Sequence, residues 1–260
     1  MSPSLSPAKL QLIALPGIPL VKPGDDLAHF ILGGVAAADE SLSTGDVLVI
    51  AQKIVSKAEN RYVDLRQVTP SARARELADL CHKDPRLVEL ILSESDEVLR
   101  CQPGIVIVVH RLGIILANAG IDSSNVEPEG EAERVLLVPQ DPDGTCRRLR
   151  GELRERSGVD LAVIINDSVG RAWRNGTVGI ALGASGLPSL HDLRGRRDLF
   201  GRSLVVTQEG IADELAAAAS LLQGQAGEGA PVVLIRGLKL AGAAANAAAL
   251  IRPKAKDLFR

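Results

Sequence analysis

Short apolar runs rich in Val, Ile and Leu punctuate the chain at irregular intervals: "LQLIAL" (10–15), "GDVLVIA" (45–51), "GIVIVVH" (104–110), "GIILA" (113–117), "VDLAVIIN" (159–166), "VGIALGA" (178–184) and "APVVLIR" (230–236). Each has the length and composition of a buried strand. Their order is what constrains the fold. Some are separated by one amphipathic helix and others by a few polar residues, so the strict alternation that builds a doubly wound parallel sheet is missing. The pattern predicts an α+β fold, with mixed or antiparallel sheets and flanking helices.

Local chemistry places the remaining elements. "PGIPLVKPGDD" (16–26) is too rich in Pro and Gly for a helix or strand interior and reads as an ordered loop. "DDLAHFILGGVAAA" has an acidic start and apolar residues three and four apart, as an amphipathic helix should. "GDVLVIAQKIVSKAENRYVDL" reads as a strand, a polar turn and a second strand. Residues 70–99 predict two helices broken near Asp84 and Pro85, because the residue before a proline is pushed out of the helical region. "GIVIVVHRLGIILANAG" reads as a hairpin turning at "HRLG". In "TCRRLRGELRERSG", Thr145 is expected to cap a basic surface helix and Gly158 to end it. The glycines of "VGIALGASGL" suit a strand that another backbone approaches closely. "SLVVTQEGIADELAAAASLLQGQAGEG" reads as a strand entering a helix that ends near Gly224, and residues 240–260 as a C-terminal helix broken at Pro253. No repeat or low-complexity linker divides the chain.

Composition excludes some functions. The 260 residues are 46% hydrophobic and 24% charged, with a net charge of -2, so the basic excess of a nucleic-acid or membrane-surface protein is lacking. Cys81, Cys101 and Cys146 are odd in number and have no metal-type spacing, which fits reduced thiols. The N-terminus lacks both a signal-peptide pattern and a stretch of about 18 apolar residues, so a cytoplasmic location is expected.

Three carboxylates are expected where a strand gives way to a loop or helix: Asp122 after "GIILANAGI", Asp167 after "LAVIIN" and Glu209 after "SLVVTQ". Oxygen donors there suit a hard cation such as Mg²⁺ or Mn²⁺, and Ser168 adds a hydroxyl. The plainer alternative is that each merely caps or turns the chain. Lys53, Lys57, Arg171 and Arg174, with Arg147, Arg148 and Arg150, supply the cationic heads that a polyphosphate substrate requires. For the arginines of "RRLRGELRER", pairing with Glu152 and Glu155 across a turn explains them equally well. There is no P-loop, no G-x-G-x-x-G and no G-x-S-x-G. A nucleotide would need another cradle, for which "LPGIP" offers backbone amides. His29, His82, His110 and His191 have no ligand partner at metal spacing. Trp173, between two arginines, is open to stacking or packing roles.

"LPGIPLVKPGDDL", "VIAQKIVSKAENR", "LSESDEVLR", "NAGIDSSNV", "NDSVGRAWRNG", "RDLFGR" and "ADELAAAASLL", in that order, resemble the coenzyme F420-0:gamma-glutamyl ligase family. The resemblance covers residues 1–260 as one family domain. It implies a two-lobed subunit, an intertwined butterfly-like homodimer, and GTP-dependent addition of L-glutamate to coenzyme F420-0 followed by γ-linked extension. It also implies Mg²⁺ or Mn²⁺, two per site, and K⁺. Carried over by position, Asp122, Asp167, Ser168 and Glu209 are metal ligands, although the family carboxylate could fall on Gln208 instead of Glu209. Pro16, Gly17, Ile18, Pro19, Gln52, Lys53, Ser56, Lys57 and Asn125 contact the nucleotide, as do Gln208, Glu209, Gly210, Ile211, Ala212, Asp213, Glu214 and Leu215. Leu112 stands where many members have His.

In the mechanism this suggests, metals bridge the β- and γ-phosphates while Lys57 and Arg171 neutralise the remaining charge. The acceptor carboxylate attacks the γ-phosphorus, and glutamate displaces phosphate from the acyl phosphate. Such chemistry relies on positioning and electrostatics, and needs no protein nucleophile. Two rivals use the same residues: a metal-dependent nucleotide phosphohydrolase, and a non-catalytic nucleotide-binding module.

Overall fold

The computed structural model describes residues 9–123, 133–240 and 242–257. In chain order the first elements are β1 (Gln11–Ala14), α1 (Leu27–Ala37), β2 (Val47–Ala51), α2 (Gln52–Ala58), β3 (Tyr62–Asp64), α3 (Ala72–Cys81) and α4 (Pro85–Ser93). There follow β4 (Ser95–Gln102), β5 (Ile105–His110), β6 (Ile115–Ala117), β7 (Arg134–Leu136), α5 (Pro142–Ser157), β8 (Ala162–Arg171) and β9 (Arg174–Ser185). The last are β10 (His191–Asp192), β11 (Gln208–Glu209), α6 (Ile211–Gln223) and β12 (Val232–Arg236).

Five strands form the main sheet in the order β1-β12-β2-β8-β9. It is mixed: β2 and β8 run parallel, while β1 with β12, β12 with β2, and β8 with β9 are antiparallel. Because side chains alternate along a strand, Leu48 and Ile50 join one core with Leu149 and Leu153 of α5. Val47 and Val49 join the opposite core with Ala216 and Ala219 of α6. Both helices press against β9. A Cβ at Gly179 would stand 2.5 Å from Ala216 O, and one at Gly183 would stand 2.4 Å from the Pro142 carbonyl carbon, so only glycine admits these backbones. The α+β expectation, with mixed and antiparallel sheets, holds.

A smaller antiparallel sheet, β4-β5-β6, packs against α3 and α4 around Leu77, Val88, Ile91 and Val108. A hub of charge ties it to its neighbours. The Glu94 carboxylate accepts from Arg61 Nη2 at 2.9 and 3.0 Å and from Arg111 Nε at 3.0 Å, and His110 Nε2 lies 3.6 Å away. Arg61 also donates to Val138 O at 2.9 Å and Arg111 to Gln140 O at 2.7 Å, so one carboxylate orients two guanidinium groups that hold the chain after β7.

Several local expectations change. Residues 52–58 form α2 where a polar turn was expected, its Ser56 hydroxyl donating to Gln52 Oε1 at 2.8 Å in the interior. The second helix of the 70–99 stretch stops at Ser93, and β4 begins at Ser95. Asp141, not Thr145, caps α5, with Pro142 at its first position; Thr145 donates instead to Glu59. Gly158 ends α5 in the left-handed conformation, as expected. Arg148 pairs with Glu152 one turn on, while Arg150 and Arg156 reach Asp160 and Asp26. Residues 203–207 do not form a strand, and the alanine-rich C-terminal stretch folds into short 3-10 turns. There the Asp143 carboxylate accepts from Ala247 N at 2.9 Å, a tertiary contact that sets where the turn begins.

Candidate active site

β2 and β8 are parallel neighbours, so both carboxyl ends open on the same side of the sheet. A cavity of about 570 Å³ lies there. That volume is in the range of a small-molecule site. Its walls are the loop at Ile18–Val21, the start of α2, the turn before Asp122, Asn166 to Ser168 on β8, and the glycine-rich loop between α6 and β12.

Each polar group arrives by an identifiable route. Asp167 and Ser168 lie inside β8, which continues to Arg171, so the strand does not end on them as expected. An extra residue on β9 shifts the register where Ile165 gives way to Asn166. Asp122 is delivered by a turn in which Asn118, Ala119 and Gly120 all have positive φ, at 51°, 54° and 66°. Two non-glycine residues in that region mark a conformation imposed by the surroundings. Asn118 Oδ1 accepts from Val106 N at 3.0 Å, and Asp122 exchanges backbone hydrogen bonds with Leu136 at 3.1 and 2.8 Å. Lys53, in the first turn of α2, places Nζ 2.7 Å from Asp122 Oδ2.

Charge is concentrated here. Burial raises the Asp167 carboxyl to about 6, against the opposing pull of the Ser168 N–H, 2.8 Å from Oδ1, and of the Lys53 ammonium; the charge of Asp122 pushes it further up. Ser168 Oγ accepts from Gln225 Nε2 at 2.8 Å. The described residues contain no group of three or more His, Cys, Asp or Glu side chains able to hold a metal. Two carboxylates and a hydroxyl nevertheless match Mg²⁺, which takes few protein oxygens and completes its shell with water and substrate phosphate.

Of the residues singled out from sequence, Ile18, Pro19, Gln52, Lys53, Lys57, Asp122, Asp167 and Ser168 line this one cavity. Pro16 and Gly17 lead into it, and Ser56 supports it through Gln52. Asn125 lies outside the described residues. The stretch from Gln208 to Leu215 goes elsewhere. Gln208 and Glu209 pair with Asp192 and His191 in a two-stranded ribbon, with His191 Nδ1 3.3 Å from Glu209 Oε2. Gly210 precedes α6; Ile211, Ala212 and Leu215 are core residues, Glu214 is exposed, and the Asp213 carboxylate accepts from Ala181 N at 2.9 Å. Arg171 is also absent from the lining: it sits at the exposed end of the β8–β9 hairpin and donates to Gly176 O at 3.0 Å. Trp173 is the tip of that hairpin, 86% exposed, with φ 64°. Leu112 packs against a small cluster with Ile114, Leu116, Val138 and Leu182, and its N–H donates to His110 Nδ1 at 3.1 Å.

Sequence reasoning missed the segment from Gln223 to Pro231, which supplies most of one wall. Its signal was present in Gly224, Gly227 and Gly229, crowded between the end of a helix and the start of a strand.

Similar proteins cover nearly the whole chain and share one description, that of a ligase, and this chain is an enzyme of that class. It belongs to the F420-0:Gamma-glutamyl ligase family, which residues 17–237 match. The coenzyme F420:L-glutamate ligase of Methanothermobacter thermautotrophicus is 45% identical over 96% of this chain and 99% of its own. The protein of the same name from Methanopyrus kandleri is 47% identical over 92% and 93%, and that of Methanocaldococcus jannaschii is 39% identical over 97% of each.

Proposed function

We propose that this enzyme uses GTP to join L-glutamate to coenzyme F420-0, first at the lactyl carboxylate and then through γ-linked extension. The observation that carries the reading is the convergence of Asp122, Asp167, Ser168, Lys53 and Lys57 on one cavity, in a chain of this family. Lys53 and Lys57 draw the triphosphate in and offset its charge. Asp122, Asp167 and Ser168 are the groups that would hold Mg²⁺ or Mn²⁺, whose chemistry is to neutralise phosphate oxygens as charge develops. With those charges balanced, the acceptor carboxylate attacks the γ-phosphorus, giving an acyl phosphate and GDP. The glutamate amine then attacks the acyl carbon, forming the amide and releasing phosphate and a proton. In this reading the loop from Gln223 to Pro231, which lines the cavity, makes the nucleotide contacts that were expected of residues 208–215. Arg171 and Glu209 are left out of the reading because they stand apart from the cavity.

A homodimer belongs to the proposal. Leu199, Phe200, Val205 and Val206 are between 77% and 99% exposed in the segment joining β10 and β11, an apolar surface suited to a second copy. K⁺ stimulation is carried over from the family. No described helix is long and apolar enough to cross a membrane, and the reading places the enzyme in the cytoplasm with its small-molecule substrates.

The test is incubation of the protein with coenzyme F420-0, glutamate, GTP and Mn²⁺, followed by mass spectrometry. Products heavier by one glutamyl unit and then more are expected. Asp167→Asn should form none while keeping its circular dichroism spectrum, and full activity in that variant would sink the metal assignment. Phosphate release from GTP with the acceptor unchanged would favour the phosphohydrolase.

A further inference from the structure

The glycine-rich loop is anchored by two side-chain amides that face each other, that of buried Asn166 and that of half-buried Gln223. Asn166 Nδ2 donates to Gln223 Oε1 at 2.8 Å, and Gln223 Nε2 donates back to Asn166 Oδ1 at 3.1 Å. Backbone carbonyls dictate which way both amides point. Ala216 O accepts from Asn166 Nδ2 at 3.2 Å, while Val49 O and Pro231 O lie 3.4 and 3.3 Å from Gln223 Nε2. Turning either amide over would set oxygen against oxygen, so the pair has one arrangement.

Its position gives the pair a consequence. Gln223 is the last residue of α6 and Pro231 precedes β12, so one amide ties both ends of the loop to the β8 strand. Two residues further along each segment the pattern repeats at the cavity, where Gln225 Nε2 donates to Ser168 Oγ at 2.8 Å. Asn166 and Ser168, two apart on β8, share a strand face. Asn166 with Gln223 and Ser168 with Gln225 are thus two rungs of one ladder; the first lies deeper, with Asn166 buried at the back of the cavity wall, and the second stands further out.

We infer that Asn166 and Gln223 are positioning residues: the deeper rung sets where the loop stands, and so holds Gln225 on Ser168 and shapes the nucleotide wall. A buried amide that loses its partner keeps its desolvation cost without compensation, so the rung acts as a unit, present or absent. The functional half of this inference rests on the nucleotide reading above; the structural half does not.

The experiment has a readout for each half. Hydrogen exchange by mass spectrometry on the ligand-free protein should show residues 224–230 exchanging at least tenfold faster in Asn166→Leu, with the β4–β6 sheet unchanged. Calorimetry with GDP and Mn²⁺ should show at least tenfold weaker binding in Asn166→Leu, and less than twofold further loss when the same substitution is made in Gln225→Ala. The exchanged pair Asn166→Gln with Gln223→Asn should recover most of the affinity. If Asn166→Leu does not fold, Gln223→Met removes the rung from the other side. Unchanged exchange in the loop, or equal loss of affinity in both backgrounds, overturns the inference. If the unsubstituted protein fails to bind GDP, the nucleotide reading falls while the exchange result still decides whether the Asn166–Gln223 rung holds the loop.

Discussion

Glu94→Gln is the perturbation whose size can be worked most directly. Burial pushes the Glu94 carboxyl up, but the nearby His110 ring, the hydrogen bonds from Arg61 and Arg111 and their charges outweigh it and hold the group at about 2, below its ordinary 4.5. A depressed carboxyl contributes stability that is present above the unfolded value and is lost as pH falls through the folded one. Here that window runs from about 4.5 down to about 2. At about 1.36 kcal/mol per pH unit the full contribution is roughly 3 kcal/mol. The side chain keeps 12% exposure, and screening by water and salt reduces the expected loss to about 2 kcal/mol. For a chain of this size that corresponds to a fall in Tm of roughly 4–8 °C. Glutamine keeps the shape and one acceptor but removes the charge that Arg61 and Arg111 share. Urea unfolding of both proteins at pH 7 and pH 3 is the assay, and the gap at pH 3 should be under half of that at pH 7. A gap below about 0.5 kcal/mol at pH 7, the range of an ordinary surface change, or one of equal size at both pH values, would refute the account of Glu94 as a charged hub.

Other substitutions probe separate features. Gly179→Ala drives a methyl group to 2.5 Å from Ala216 O and should cost about 2 kcal/mol or more in urea unfolding; a neutral result would mean α6 is not seated on β9 as described. Lys53→Ala should lower kcat/KM for GTP by about a hundredfold or more, whereas Arg171→Ala, at the exposed hairpin end, should stay within about threefold; the reverse order would return Arg171 to the site. Phe200→Asp combined with Val206→Asp should halve the mass measured by light scattering, and an unchanged mass would remove this segment from the proposed dimer contact. If Asp122, Asp167 and Ser168, which share the cavity wall, hold the cation as proposed, chelation should abolish glutamylation and added Mn²⁺ or Mg²⁺ restore it; activity persisting in chelator would contradict the proposal.

Much of the fold was legible because it depends on local pattern. The runs at 47–51, 162–166 and 232–236 are strands because apolar residues of that length bury on both faces, and that at 105–110 because Val106 and Val108 bury one. The break at Pro85, the stop at Gly158 and the close approach at Gly179 and Gly183 follow from single-residue backbone chemistry. Asp122, Asp167 and Ser168 were visible as oxygen donors beside buried runs, and Lys53 and Lys57 as their counter-charges. The helix at 52–58 was not legible, because seven polar and apolar residues without a side-chain cap resemble a turn until the buried contact between Ser56 and Gln52 forms.

Sequence by itself determined the α+β class, most strands and helices, and which residue types could carry phosphate and metal chemistry, since periodicity, capping and charge are properties of neighbouring residues. Only the tertiary structure decided which of those groups meet. Lys53 finds Asp122 and His110 finds Glu94 across spacings that no local pattern encodes. The parallel pairing of β2 with β8 brings their carboxyl ends to one opening, and the path of β12 brings the loop from Gln223 to Pro231 over it. The same pairings carry Glu209 into a ribbon with His191 and leave Arg171 on a hairpin tip. The physical reason is that strand order and register are settled by burial summed over the whole sheet, so the meeting of distant polar groups is a consequence of the fold and has no signature of its own in the chain.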